Sequence, residues 1–181
     1  MKLRIVRHQG EPGILPMILR SAIALPVLAA LLAACANFSA ISTGSPEEQV
    51  RARVGAPDTV WKNADGSETW EYPLGPFGTE TYMITIGPDH TVGNVSQVLS
   101  DEFLFKVQTG MSREEVRRLL GRPTEIDRFE RRNEEVWSWR FMEKNVWHKL
   151  FNAHFDPDTG VVRAVSRTED PLFNPGGGSR H

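Results

Sequence analysis

The chain has 181 residues, 40% of them hydrophobic and 24% charged, with a formal net charge of −2 and a single cysteine. Such a mild, mixed charge excludes the basic footprint of a nucleic-acid binder, so no nucleic-acid partner is expected. One cysteine excludes an intramolecular disulfide framework, and no ligand set stands beside it for a metal.

Residues 1–34 read as a signal peptide. Lys2, Arg4, Arg7 and Arg20 precede an apolar run, residues 22–34, broken only by Pro26. That run is short for a bilayer span but suits a signal-peptide core. A start at Met17 would give a more ordinary leader, Met-Ile-Leu-Arg and then the run. Cys35 closes Leu32-Ala33-Ala34-Cys35, which resembles a bacterial lipobox. That resemblance implies cleavage before Cys35, lipidation of Cys35 with palmitate-type chains, and firm anchoring, since several acyl chains hold where one is marginal. Ala36 follows where an aspartate would favour the inner membrane, so an outer-membrane anchor with the domain facing the periplasm is expected. Residues 35–43 form the lipidated terminus and tether, whose stretch to about Ile41 spans about 20–25 Å. The chain from Cys35 onward has 17 positive and 22 negative side chains, once four basic residues and Glu11 are removed with the leader.

The best-marked feature follows. Residues 43–57, TGSPEEQVRARVGAP, recur 66 positions later as residues 109–123, TGMSREEVRRLLGRP, with seven identities. A repeat of this period fixes the architecture as two like units. The first unit is placed at 44–99, a connector at 100–108, and the second unit at 109–169. In the first, Ser45 is expected to cap a helix with Pro46 at its first position and Glu48 completing the box. Strands at 59–61 and 69–72 flank an Asn-Ala-Asp-Gly turn, and strands at 81–86 and 92–99 flank Gly87-Pro88-Asp89-His90. The connector carries Phe103-Leu104-Phe105, apolar enough to pack.

In the second unit, Ser112 and Glu115 form a capping box, and Met111 is spaced to staple against Val116. Val116, Leu119 and Leu120 make an apolar stripe, and Gly121 then Pro123 stop the helix. Strands are expected at 124–129, 135–141, 149–155 and 161–167. The fold class is therefore α+β: two tandem units, each a short helix packed on an antiparallel β-meander of about four strands. The two sheets are expected to join into one concave surface. Residues 170–181 read as a disordered tail.

Chemistry is weakly marked. His148, His154 and Asp156 share strand parity and would be the ligands of a metal-dependent hydrolase, but no further cluster completes a ligand set. No phosphate loop or nucleophile elbow is present. No enzyme, no metal and no cofactor is therefore expected. Trp137, Trp139 and Phe141 line one strand face, with Trp70 and Tyr72 in the equivalent strand of the first unit. They read as core beneath the helices or, alternatively, as an aromatic face that receives a protein. Trp147, near a turn, is the natural exposed anchor. Arg128, Arg131 and Arg132 read as a solvated hairpin tip or as a contact for anionic phospholipid or an acidic partner.

The helix motif of residues 109–123, followed by a Trp-rich strand and preceded by a lipobox, resembles the SmpA/OmlA (BamE-like) outer-membrane lipoprotein family. The tandem arrangement is similar to the β-lactamase inhibitor protein fold. The family resemblance implies a non-catalytic, protein-binding scaffold in β-barrel outer-membrane protein assembly or envelope integrity, with Met111, Arg128, Arg131, Arg132, Trp137, Trp139 and Trp147 as partner-binding candidates. It also implies a β-barrel assembly complex as partner, with anionic phospholipid as a further one. The similarity to the inhibitor fold implies a different role, as inhibitor or regulator of a soluble periplasmic enzyme through a concave sheet face.

Overall fold

An eight-residue helix is not stable alone in water, so each repeated helix must be held by the sheet that follows it. The computed structural model describes residues 38–75 and 77–174. The leader, Cys35 and the tail from Pro175 lie outside the described residues. After a 3-10 turn at Phe38–Ala40 come α1 (Glu47–Val54), β1 (Thr59–Lys62), β2 (Glu68–Pro73), β3 (Thr81–Ile86) and β4 (Val92–Gln97). A one-turn helix α2 (Asp101–Leu104) leads to α3 (Arg113–Leu120), β5 (Glu125–Phe129), β6 (Glu134–Glu143), β7 (Trp147–Phe155) and β8 (Val162–Glu169). Each copy is thus one eight-residue helix and one antiparallel four-stranded meander.

The duplication reaches down to individual hydrogen bonds. Val60 pairs with Trp70 in the first sheet and Ile126 with Trp137 in the second, so Trp70 and Trp137 are equivalent. The Trp70 indole donates to Glu68 at 2.9 Å, and the Trp137 indole donates to Glu135 at 2.8 Å. Two residues on, the Tyr72 hydroxyl donates to the Gly55 carbonyl and the Trp139 indole to the Gly121 carbonyl, at 3.1 and 3.0 Å. Both copies thus use an aromatic donor on the second strand to satisfy the carbonyl that ends the helix. Burial also pushes the Tyr72 hydroxyl up to about 12, against the opposing pull of the Arg51 charge.

The capping box at Ser112 forms as expected, with Glu115 N to Ser112 Oγ at 3.2 Å and Ser112 N to Glu115 Oε2 at 2.7 Å. The first helix departs from expectation. Its N-cap is Pro46, with no side-chain cap, and Ser45 lies one residue outside. The reason is the strand contact beside it: Pro46 bridges to Thr91 as Ser112 bridges to Val161, and the Ser45 carbonyl accepts from Val92. The chain is fixed by that bridge, so the capping position falls on the proline.

The two sheets do not join. Their strand orders are β1-β2-β3-β4 and β5-β6-β7-β8, with no hydrogen-bonded pair between them. The physical reason is that the second helix lies between them. Val116 and Leu120 of α3 are fully buried in the second core with Trp139, Phe141, Phe151 and Phe155. The end of the same helix meets the opposite, outward face of the first sheet at Glu71, Thr81 and Met83. In the first sheet the helix-side core is Val50, Trp70, Tyr72, Ile84, Ile86 and Val92, closed by Phe38 and Ile41. The tail is pinned further than expected: Asp170 is fully buried, and Pro171 to Phe173 form a turn tied to it by Phe173 N and Asn174 N.

Gly55 and Gly121 end the two helices at φ 83°, ψ −166° and φ 79°, ψ −170°. This region is essentially restricted to glycine, at a cost of about 1–3 kcal/mol for another residue. A Cβ at Gly55 would meet open space, whereas at Gly121 it would lie 2.8 Å from Thr81 Cγ2 and 3.2 Å from Glu71 Oε1. Gly121→Ala should therefore lower the urea midpoint clearly more than Gly55→Ala. Equal losses would mean that the seam between the copies tolerates displacement.

Candidate binding surface

A fully desolvated charge lies at the seam between the copies. Glu71 on β2 is fully buried. Its carboxylate accepts from Arg117 Nη1 at 2.5 Å, from the Arg122 backbone N–H at 2.7 Å and from the Trp61 indole at 3.2 Å. Arg117 is on α3, Arg122 follows Gly121, and Trp61 is on β1 beneath the guanidinium groups of Arg117 and Arg118. An outer ion pair, Arg122 to Asp58 at 3.2 Å, continues the seam. A carboxylate with three donors fixed on it has no free lone pair aimed at a substrate, so this cluster fastens the copies together.

The outward face of the second sheet is polar and nearly as well satisfied. Ser138 Oγ donates to Asn152 Oδ1 at 2.7 Å, and Asn152 Nδ2 reaches Thr168 Oγ1 at 3.1 Å. Arg140 pairs with Asp170 at 2.9 Å and Glu125 at 2.6 Å. This face corresponds to the one that Glu71 occupies in the first sheet: Ser138 stands where Glu71 stands, and the carboxylate has no counterpart there.

The three residues considered for metal chemistry are not brought together. His154 is held between Glu134 (2.9 Å) and Ser166 (2.8 Å). His148, six residues away on the same strand and so about 20 Å distant, stacks on Phe173 at 3.8 Å. The Asp156 carboxylate accepts from the backbone N–H groups of Thr159 and Asp158 and pairs with Arg163, which together hold it below the usual carboxylate range. Among the described residues no group of three metal-ligating side chains occurs.

Of the partner-binding candidates, the aromatic stripe is core. Trp139 is fully buried, and Trp137 is half-buried against Phe155 at 5.0 Å. Both sheet faces that carry the aromatic residues are covered by their helices, which leaves no open concave aromatic face. Met111 is half-buried on the second core, its sulfur beside Gln108 N at 3.2 Å. The arginines at the β5–β6 tip are exposed but largely balanced: Arg128 pairs with Glu130, and Arg132 pairs with Glu134 and lies over Phe129. Trp147 is 57% exposed at the β6–β7 tip, beside Val146 at 61%.

Residues that the sequence reading passed over complete the exposed surface. Leu74 and Phe77, in the β2–β3 connection, and Leu172 and Phe173, after β8, are exposed apolar side chains. Their signal was present as large apolar residues among Gly, Pro and Asp, which read as turn or tail. A groove of about 410 Å³ also runs beside the edge strand β8, lined by Leu104, Phe105, Phe151 and Val165.

Residues 96–164 match the family model described as the outer membrane protein assembly factor BamE domain. The second copy is similar to the BamE domain. The BamE match runs from the end of β4 through α2 and α3 into β8, so it takes in the connector and nearly all of the second meander. Among solved structures, a Streptococcus mutans protein provisionally described as a β-lactamase inhibitor protein is 12% identical, with a TM-score of 0.30, covering 81% of this chain and 96% of that one. No curated protein sequence is significantly similar to this chain.

The seam makes its own prediction. Arg117→Ala would leave the buried Glu71 carboxylate without its charge partner, a change that typically costs about 3–5 kcal/mol. Chemical denaturation should show that loss, while Arg118→Ala, whose partner Glu114 is exposed, should change stability by less than about 1 kcal/mol.

Proposed function

We propose that the protein is an outer-membrane lipoprotein, anchored through acylated Cys35 with its domain on the periplasmic side, and that it is a non-catalytic protein-binding scaffold in β-barrel outer-membrane protein assembly or envelope integrity. The observation that carries this reading is the BamE match to residues 96–164, a domain whose description is that of an outer membrane protein assembly factor. Two features support it. The side chains best placed for chemistry are committed to structure: Glu71 to the seam, His154 to Glu134 and Ser166, Asp156 to its turn. Trp147 and Arg131 are exposed at the hairpin tips beyond the two ends of β6.

The partner is then a membrane-embedded assembly complex, with Trp147 and Arg131 as contact residues. A photo-crosslinker placed at position 147 or 131 of the membrane-borne protein should capture an integral barrel protein. Capture of soluble periplasmic proteins alone would overturn the assembly role and favour a regulator of a soluble enzyme. Cys35→Ser should release or misprocess the protein, and unchanged membrane fractionation would contradict the anchor.

A further inference from the structure

Three separate chain segments bring exposed apolar side chains to one end of the domain. Leu74 and Phe77 come from the β2–β3 connection, Val146 and Trp147 from the β6–β7 tip, and Leu172 and Phe173 from the turn after β8. Their neighbours place them together. The Phe77 ring lies 6.0 Å from the Arg140 guanidinium, which binds Asp170 at the base of the last turn. The Phe173 ring stacks on His148, next to Trp147. A cleft of about 300 Å³ separates Thr79 and Glu80 of the first copy from Lys144 and Asn145 of the second, so the two hairpin ends stand side by side.

The amino terminus leaves the domain at this same end. Phe38 is buried between Tyr82, stacked at 4.2 Å, and Tyr72, edge-on at 5.5 Å. Those tyrosines are register partners at the end of the β2–β3 hairpin, which closes just beyond them through Leu74 N and Glu80 O at 3.1 Å. Cys35 is three residues upstream of Phe38, and three residues reach at most about 10 Å. The sequence had allowed a tether to Ile41, but Phe38 and Ile41 are both packed in the first core, which about halves its length.

We infer that this end of the domain is a lipid-facing surface, with the side chains of Phe77, Trp147 and Phe173 seated in the headgroup layer of the bilayer that holds the Cys35 acyl chains. The inference rests on the lipoprotein reading and adds to it an orientation and a set of contacts. An acylated Cys35 sits at the boundary of the hydrocarbon, and the headgroup region above it is roughly 5–7 Å deep on each side. A leash of about 10 Å therefore holds the Phe38 end against that layer. Trp and Tyr favour this zone because an apolar ring and a polar edge are both accommodated there. Charge does not select the ligand: Glu80, Glu143 and Glu169 share this end with Lys144 and Lys149, and Lys149 is already paired with Glu169. The surface therefore takes lipid through its apolar tips, and neutral headgroups suffice.

The test uses the processed protein purified from membranes and reconstituted into phosphatidylcholine vesicles carrying brominated acyl chains. Tryptophan emission should be quenched by the brominated lipid, and most of that quenching should vanish in Trp147→Phe, an exposed position where the fold does not depend on the indole. Phe77→Ser should reduce it without changing the circular dichroism spectrum. Quenching should be the same when phosphatidylglycerol is added. An intact mass, measured on the same sample, reports acylation of Cys35 separately. An acylated protein whose Trp147 stays open to aqueous acrylamide and untouched by brominated lipid would overturn the surface and leave the anchor standing. Quenching of an unacylated protein would uphold the surface and remove the anchor. Quenching that requires phosphatidylglycerol would overturn it as well.

Discussion

Glu71 is a carboxylate taken wholly out of water, and the placing of the two copies follows from satisfying it. Its second-copy partners are a side chain on α3 and a backbone amide just past the end of α3, so the helix cannot slide or turn without stranding the charge. A buried ion pair is not in itself a large source of net stability, because desolvation offsets its attraction. What it supplies here is position. The apolar contacts of Val116 and Leu120 with the second sheet supply the stabilisation, and Glu71 fixes which face of the first sheet the helix end meets.

That arrangement governs what surface remains for partners. Each helix covers the aromatic face of its own sheet, and the end of α3 also caps the outward face of the first sheet at Glu71, Thr81 and Met83. The outward face of the second sheet keeps a network of paired hydroxyl, amide and guanidinium groups, with the last turn pinned to it through Asp170. Contact with other molecules therefore falls to hairpin tips, edge strands and the turn after β8.

Much of this was legible in the sequence because local signals and the global fold agree. The 66-residue repeat gave two like units, alternation gave eight strands within a few residues of their ends, and Ser112 with Glu115 gave the capping box. The first cap was legible too and was misplaced: aligned with the second copy, Pro46 falls opposite Ser112, and Ser45 opposite Met111. What could not be read were contacts between the copies. On β2 the residues Trp70, Glu71 and Tyr72 are all buried, yet Glu71 in an alternating strand reads as the solvent side. Only the arrival of α3 on that face, a contact 46 residues distant, makes it interior. The expected joining of the sheets failed for the same reason, since the helix stands between them. Asp170 read as the start of a free tail because its partner, Arg140, is 30 residues away on an apparent outward face. Trp147 was recognised by its place beside a turn, while Phe77 and Phe173 drew no notice in loops.

If α3 belongs equally to both copies, neither can open without the other. Native-state hydrogen exchange on the amides of β2 and β3, compared with those of α3, β6 and β7, measures this directly. One common opening free energy, falling together in an Arg117→Ala variant, is the result expected of a single cooperative body. A first copy that opens at markedly lower free energy while the second stays closed would contradict it.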